Sequence, residues 1–317
     1  MNDMLVSVVI PTYNREKTIE YSLQSVLNQT YRNLEILIVD DCSTDSTLPL
    51  VEKMNDPRVR IIRQERNAGA QAARNAGIRE ASAKWICFND SDDTWIASKV
   101  ESQMALLEKF KFDERIVLYC DCYKFYPETG KKELWKLPDI RFDKSYSDLL
   151  NTSGPMFQGL MASKKLIVDS GMLDEDAISY QEWDTSLLLS KNGSFHHIKE
   201  PFFVYYLHEG DTISKDPDRD FNGYQYIIDK YKDEIVKYNG TLAWKRHLAI
   251  QYRKFTSTLL NDNWYKNMTT VMNISNVMRN LSSDIVFKFE IKTSIYRRIG
   301  RKIKTIWKRI TQAISIG

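Results

Sequence analysis

Trp85-Ile86-Cys87-Phe88-Asn89-Asp90-Ser91-Asp92-Asp93 is the stretch whose reading settles the architecture. Four apolar residues stop abruptly against a polar run that holds three carboxylates. A short apolar run bounded in this way reads as a strand buried on both faces, with the polar residues just past its end. The same pattern occurs twice upstream. Leu5 to Ile10 is a β-branched run stopped by Pro11, ahead of Thr12 and Tyr13, and Leu34 to Val39 ends on Asp40 and Asp41. Helical periods separate these strands. Thr18 to Leu27 carries Ile19, Leu23, Val26 and Leu27 on one face, and a helix capped by Ser43 or Thr44 runs to about Met54. An alanine-rich helix from Ala70 to Ala83 has small faces suited to close packing on a sheet, and Val59 to Ile62 and Ile116 to Tyr119 are further strands.

Strand–helix–strand alternation with short connections predicts an α/β protein with a doubly wound, mostly parallel sheet and helices on both faces. Such sheets bind ligands beyond the carboxyl ends of their strands. Those ends carry Thr12, Tyr13, Asp40, Asp41, Asp90, Asp92 and Asp93. One acidic pair at a strand end is ordinary punctuation. Two acidic clusters in one sheet repel each other and call for a counter-ion, and carboxylates in a crevice suit Mg2+ or Mn2+, ions that neutralise phosphate oxygens. The chain has neither G-x-x-x-x-G-K-[ST] nor G-x-G-x-x-G. Phosphates must then be held by metal, loop backbone and basic side chains, of which Arg66, Arg74 and Lys99 lie close in sequence.

Composition removes other classes. With 317 residues, 43% hydrophobic and 27% charged, the chain has ample apolar material for a core and does not suit disorder. The four cysteines are too scattered for a disulfide framework, and Cys120 and Cys122 lack a second pair to complete a zinc site, so reduced thiols are expected. The apolar run at Met4 to Ile10 has no basic flank, so no signal peptide is expected, and no stretch reaches the ~18 apolar residues of a membrane span. A net charge of +3 argues against a dedicated nucleic-acid binder.

Four segments in order, Val6-Ser7-Val8-Val9-Ile10-Pro11-Thr12-Tyr13-Asn14, Ile38-Val39-Asp40-Asp41-Cys42-Ser43-Thr44-Asp45, Asn67-Ala68-Gly69 through Arg74-Asn75, and Asp90-Ser91-Asp92-Asp93, resemble the family 2 glycosyltransferases of GT-A fold, over roughly the first 210 residues. The resemblance implies an inverting, metal-dependent transfer from a UDP-sugar, as in bacterial capsule or O-antigen synthesis on a lipid-linked saccharide. It places Pro11, Thr12 and Tyr13 against the nucleotide base, has Asp41 accept a hydrogen bond from uracil, and turns Arg74 toward base or diphosphate. Asp90 and Asp92 match the family's Asp-x-Asp, with Asp92 as metal ligand and Asp90 on ribose or metal. Asp93 is either a further ligand or the cap of a helix beginning near Ile96. Tyr180-Gln181-Glu182-Trp183-Asp184 resembles the family's Glu-Asp-Trp-Asp segment, with Gln181 in place of its first acid. That makes Glu182 the base that deprotonates the acceptor hydroxyl, with Asp184 as fallback. His208, within Tyr205 to Ser214, resembles a position that approaches diphosphate or metal, and is read either as a third ligand or as a structural histidine. The readings set against this one are a sugar nucleotidyltransferase, for which Thr12-Tyr13-Asn14 is the wrong first loop, and a catalytically silent, membrane-associated saccharide-binding subunit.

The charge is unevenly spread. Lys288 to Arg309 holds nine basic residues and one acid, and Ile291, Ile295, Ile299, Ile303, Ile306, Trp307, Ile310 and Ile314 recur at spacings of three or four. A basic amphipathic helix over 288–314 suits an anionic membrane surface or, alternatively, a partner subunit. The expected organisation is a catalytic domain over 1–215, with a nucleotide-binding half (1–120) and an acceptor half (121–215), followed by a helical region over 216–317. The expected location is cytoplasmic, peripheral on the inner face of the cell membrane, and assembly into a homo-oligomer is left open.

Overall fold

In the computed structural model, residues 4–207 and 217–260 are described. The N-terminal third alternates as expected: β1 (Val6–Thr12), α1 (Ile19–Leu27), β2 (Leu34–Asp40), α2 (Thr47–Met54), β3 (Val59–Arg63), α3 (Ala70–Glu80) and β4 (Trp85–Phe88). β1 pairs in parallel with both β2 and β4, and β2 with β3. Every residue of β1 and β4 is buried, as a strand covered on both faces requires. The parallel pairing sends the carboxyl ends of β1, β2 and β4 to one edge of the sheet.

The second half is mixed. β5 (Thr94–Trp95), α4 (Lys99–Lys109), β6 (Ile116–Tyr126) and β7 (Lys131–Trp135) are followed by α5 (Ser145–Leu149), β8 (Met161–Ser163), α6 (Lys164–Asp169), α7 (Gln181–Ser190) and β9 (Ser194–Tyr206). The nine strands run in the order β3-β2-β1-β4-β8-β6-β9-β5, with β7 as a hairpin partner of β6. β8 is antiparallel to both β4 and β6, and β9 is parallel to β6. The strand read at Ile116 to Tyr119 thus continues to Tyr126.

Close packing of α3 on the sheet depends on Gly77. A Cβ there would run into the Val9 side chain and meet Val39 Cγ2 at 3.1 Å, so a larger residue would force α3 or the strands to shift. The caps differ from expectation. Ser43 and Thr44 are tied to Asn14 instead, and α2 opens where the Asp45 carboxylate accepts from Thr47 N at 3.0 Å. Asp93 caps nothing: Thr94–Trp95 pairs with β9, and the helix starts at Lys99. Lys99 is fully buried, its Nζ 3.8 Å over the Trp95 ring and donating to Gln103 at 3.0 Å, so it serves the core and not a phosphate. The cysteines are free, and Cys87, Cys120 and Cys122 are buried.

The first compact unit runs through His247 and the second from Leu248. α8 (Pro217–Lys230) and the opening of α9 (Lys232–Leu260), which breaks at Gly240, belong to the first unit. His247 is buried there between the Tyr224 hydroxyl and the Leu150 carbonyl, each at 2.8 Å. No helix among the described residues is long and apolar enough to cross a membrane. The basic segment 288–314 and His208 lie outside the described residues.

Candidate active site

The strand ends converge as topology demands. Pro11 and Thr12 are buried at the end of β1, the Thr12 hydroxyl turned back onto the Ile10 carbonyl at 3.2 Å, while Tyr13 stands 43% exposed beyond them. Asp41, after β2, accepts from Ala68 N at 2.8 Å and Gly69 N at 2.7 Å, one amide to each carboxylate oxygen. Gly69 has φ 89°, a left-handed conformation that favours glycine and lets the loop turn into α3. Asp41 therefore shapes the loop through both of its oxygens. Arg66 is exposed on that same loop.

The acidic turn after β4 is held from several sides. The Ser22 hydroxyl on α1 donates to the Asp90 carbonyl at 2.9 Å and the Tyr21 hydroxyl to the Asp92 carbonyl at 3.2 Å. The Asp90 carboxylate takes Arg74 Nη2 at 2.8 Å on one oxygen and Gln158 Nε2 at 2.8 Å on the other. Arg74 is 3% exposed, stacks 3.9 Å over the Phe157 ring, and is braced by Gln71 and Gln181, each at 3.1 Å. Gln158 also donates to Asp93, whose other oxygen accepts from Tyr206 N at 2.8 Å. Burial and the neighbouring Asp92 and Asp90 charges push the Asp93 carboxyl well above its ordinary value. Asp93 faces the interior, whereas the Asp92 side chain is 26% exposed and meets Arg15 Nε at 3.6 Å.

Glu182 enters from α7, whose N-terminus follows Tyr180 in a left-handed conformation (φ 56°) and is anchored by Trp183 Nε1 on the Leu149 carbonyl at 2.7 Å. Burial pushes the half-buried Glu182 carboxyl above its ordinary value. Arg74 pulls it down and Asp90 adds to the rise, so Glu182 shares the field of the Asp90 cluster. Asp184 does not. Positions two apart on a helix face different ways, and Asp184 is fully buried against Lys230 Nζ at 2.7 Å, with Asp174 on that lysine's other side at 2.5 Å.

The structure thus brings together Arg74, Asp90, Asp92, Asp93 and Glu182, with Thr12, Tyr13 and Asp41 at the neighbouring strand ends, and sets Asp184 apart. Gln158, Gln181 and Arg15 are additions that sequence reasoning missed. Gln181 alone had a signal, because it stands where the resembling segment has an acid.

Four carboxylates, those of Asp90, Asp92, Asp93 and Glu182, face two guanidinium groups, those of Arg15 and Arg74. An anionic diphosphate there would meet a negative excess that a bound cation would offset. Among the described residues no three His, Cys, Asp or Glu side chains form a cage for a metal. Mg2+-type ions that arrive with phosphates need only one or two protein carboxylates. Half-exposed Asp92, with Asp90 beside it, fits that requirement, and inward-facing Asp93 does not.

Residues 7–169, just over half of the chain, match the model of "Glycosyl transferase family 2". The chain is 46% identical over 109 residues to the Escherichia coli UDP-Glc:alpha-D-GlcNAc-diphosphoundecaprenol beta-1,3-glucosyltransferase WfgD, an alignment covering 34% of this chain and 43% of that protein, less than half of the relative's length. Its coordinates resemble those of S. aureus TarS solved with UDP-GlcNAc (TM-score 0.58, 20% identity, 92% of this chain and 77% of that one). They also resemble the Pyrobaculum calidifontis mannosyltransferase PcManGT solved with GDP-Man and Mn2+ (TM-score 0.56, 17% identity, 96% and 87%). At these identities the likeness is one of fold, and the fold is GT-A. With the family's model spanning β1 to α6, where all the strand-end acids lie, the chain belongs to glycosyl transferase family 2.

Proposed function

We propose that the chain transfers a sugar from a UDP-sugar to a hydroxyl of a lipid-linked saccharide, in one inverting displacement, during bacterial surface-glycan synthesis. The observation that carries this reading is the joining of two chemistries in one crevice. Acids at the carboxyl ends of parallel strands suit a cation-bound diphosphate, and beside them stands Glu182, a carboxylate with raised proton affinity. The names of relatives support the donor and acceptor: WfgD takes UDP-Glc and a GlcNAc-diphosphoundecaprenol.

In this reading Glu182 takes the acceptor's hydroxyl proton while the oxygen attacks the anomeric carbon. The bond from that carbon to UDP breaks, and the configuration inverts because the displacement is single. Asp92, with Asp90, would hold Mn2+ or Mg2+, which when bound neutralises the departing diphosphate. Arg74 and Gln158 fix the Asp90 carboxylate, and Tyr13 offers its exposed ring to the base. Residues 1–215 form the catalytic part, and the basic segment 288–314 rests on an anionic membrane, the surface that carries the acceptor.

The test is UDP release from a panel of nucleotide sugars with Mn2+ or Mg2+, in the presence of a short-chain GlcNAc-diphospho-lipid. Acceptor-stimulated UDP release with a β-linked product from an α-linked donor is expected. No release with any donor, or retention of configuration, would overturn the reading. Removal of residues 288–317 should free the protein from anionic vesicles while leaving UDP affinity intact.

A further inference from the structure

Three side chains beside the crevice have no part in the chemistry above: Tyr205, Lys124 and Trp135. Their placement follows from register. Lys124 on β6 is the partner of Tyr205 on β9 and of Glu133 on β7, and two residues earlier Cys122 faces Trp135. Directly paired residues and those two apart point the same way, so all three lie on one face of the sheet. The Trp135 and Tyr205 ring centroids are 6.3 Å apart, and Lys124 Nζ rests 3.5 Å over the Trp135 ring. All three are half-buried.

The polar tips on this face differ in how far they are engaged. Glu133 is taken up by Lys131 and by the Tyr126 hydroxyl at 3.1 Å. Among the described residues, Lys124 has neither an ion pair nor a hydrogen bond, and the Tyr205 hydroxyl has no hydrogen-bond partner. The face lies within reach of the acids: burial pushes the Tyr205 phenol up to about 12, and the charges of Asp93, Asp92, Asp90 and Glu182 add to the rise. Tyr206, the next residue, donates its backbone N–H to Asp93. β7 ends at Trp135 as an appended edge, so the row leads away from the acids along β6 to the rim of the sheet.

An indole ring, a phenol and an ammonium on one surface suit a ligand with an apolar C–H face and a rim of hydroxyls, which is a pyranose. A peptide would instead find the free edge of β7, and a lipid chain would find no use for two polar tips. We infer that Trp135, Tyr205 and Lys124 form the subsite that holds the acceptor saccharide, its ring set against the Trp135–Tyr205 pair, with Lys124 Nζ turning from the Trp135 face to meet the sugar's hydroxyls beside Tyr205 Oη. The inference rests on the glycosyltransfer reading above and names the surface that presents the attacking hydroxyl to Glu182.

The experiment uses the full chain with a UDP-sugar and a short-chain GlcNAc-diphospho-lipid. Trp135→Ala should raise the acceptor KM about tenfold, with UDP affinity and the slow acceptor-free hydrolysis of the donor within twofold of wild type. Trp135→Phe should restore most of the acceptor affinity, because a ring remains. Tyr205→Phe, which removes a single hydroxyl and cannot unfold the sheet, should raise acceptor KM several-fold without moving donor KM. An acceptor KM unchanged in both Trp135→Ala and Tyr205→Phe overturns the subsite. Failure of the wild type to bind UDP or turn over any donor overturns the glycosyltransfer reading itself, a separate result that takes the subsite with it.

Discussion

The first turn of α7 carries two carboxylates two residues apart, and they live in different worlds. Glu182 faces the crevice, half-buried, among Asp90 and Arg74. Asp184 faces the other side, fully buried, against Lys230, with Asp174 completing the group. Burial pushes both carboxyls above their ordinary values. The difference lies in what opposes that push. Asp184 has a lysine of its own, and Lys230, flanked by two acids, holds its proton more tightly than usual. Glu182 shares Arg74 with Asp90, which already bonds it at 2.8 Å. One carboxylate is committed to holding α8 on α7, and the other is left with affinity for a proton to spend on a ligand. In the proposed function one turn of α7 then serves both chemistry and cohesion, with the two acids kept out of each other's field.

The sharpest way to break this contrast is Glu182→Gln. Transfer should fall by about 10³-fold in kcat, measured as acceptor-dependent UDP release. Because the folded-state value is raised, the ionised form of Glu182 costs stability at neutral pH, so the amide variant should melt no lower than wild type. Wild-type kcat in this variant would remove Glu182 as base. Next comes Lys230→Met, which strands Asp184 and Asp174 without a cation. It should cost about 3 kcal/mol of unfolding free energy in a denaturant titration, while kcat per folded molecule stays within twofold. A large loss of kcat with unchanged stability would mean that the far face takes part in the chemistry. Asp92→Asn should weaken UDP binding about tenfold in Mn2+ and much less in EDTA, read by calorimetry, which is the signature of the proposed cation contact. The smallest effect is on pH. The base form of Glu182 is lost as pH falls through its raised value, so the acid limb of kcat should lie above the ordinary glutamate range. An acid limb at the ordinary value would place a different group in the role.

The parallel half of the sheet was legible because strands buried on both faces are written as unbroken apolar runs, and β1, β2 and β4 begin and end within two residues of where those runs do. The place of Asp90 and Asp92 was legible for a related reason, since topology obliges residues past such strands to meet, whereas Glu182, on α7, was reached only through the resemblance of Tyr180 to Asp184 to a family segment. The mixed half was not. β8 is three residues long and β5 two, too short to show a period. The supports of the acids were also hidden. Gln158 sits in a turn 68 residues from Asp90, and a neutral amide in a turn has no charge pattern to betray it. Lys99 misled in the opposite direction. Its charge suggested phosphate, yet Trp95 and Gln103 provide a buried ammonium with partners inside the core. Asp93 resembled a cap because acids precede helices, but two residues of β5 intervene and turn its carboxylate inward.

The seam where parallel β4 meets antiparallel β8 has a consequence for exchange of parts between relatives. Among the ties that cross it are Gln158 to Asp90 and Gln181 to Arg74. Each joins an amide from the mixed half to a charged group of the parallel half. A chimera spliced at the seam would present foreign side chains at 158 and 181 to the resident Arg74 and Asp90, and would misalign the acids even if both halves folded. Positions 74, 90, 158 and 181 must therefore be inherited as one set, whatever else is recombined to change the sugar or its recipient.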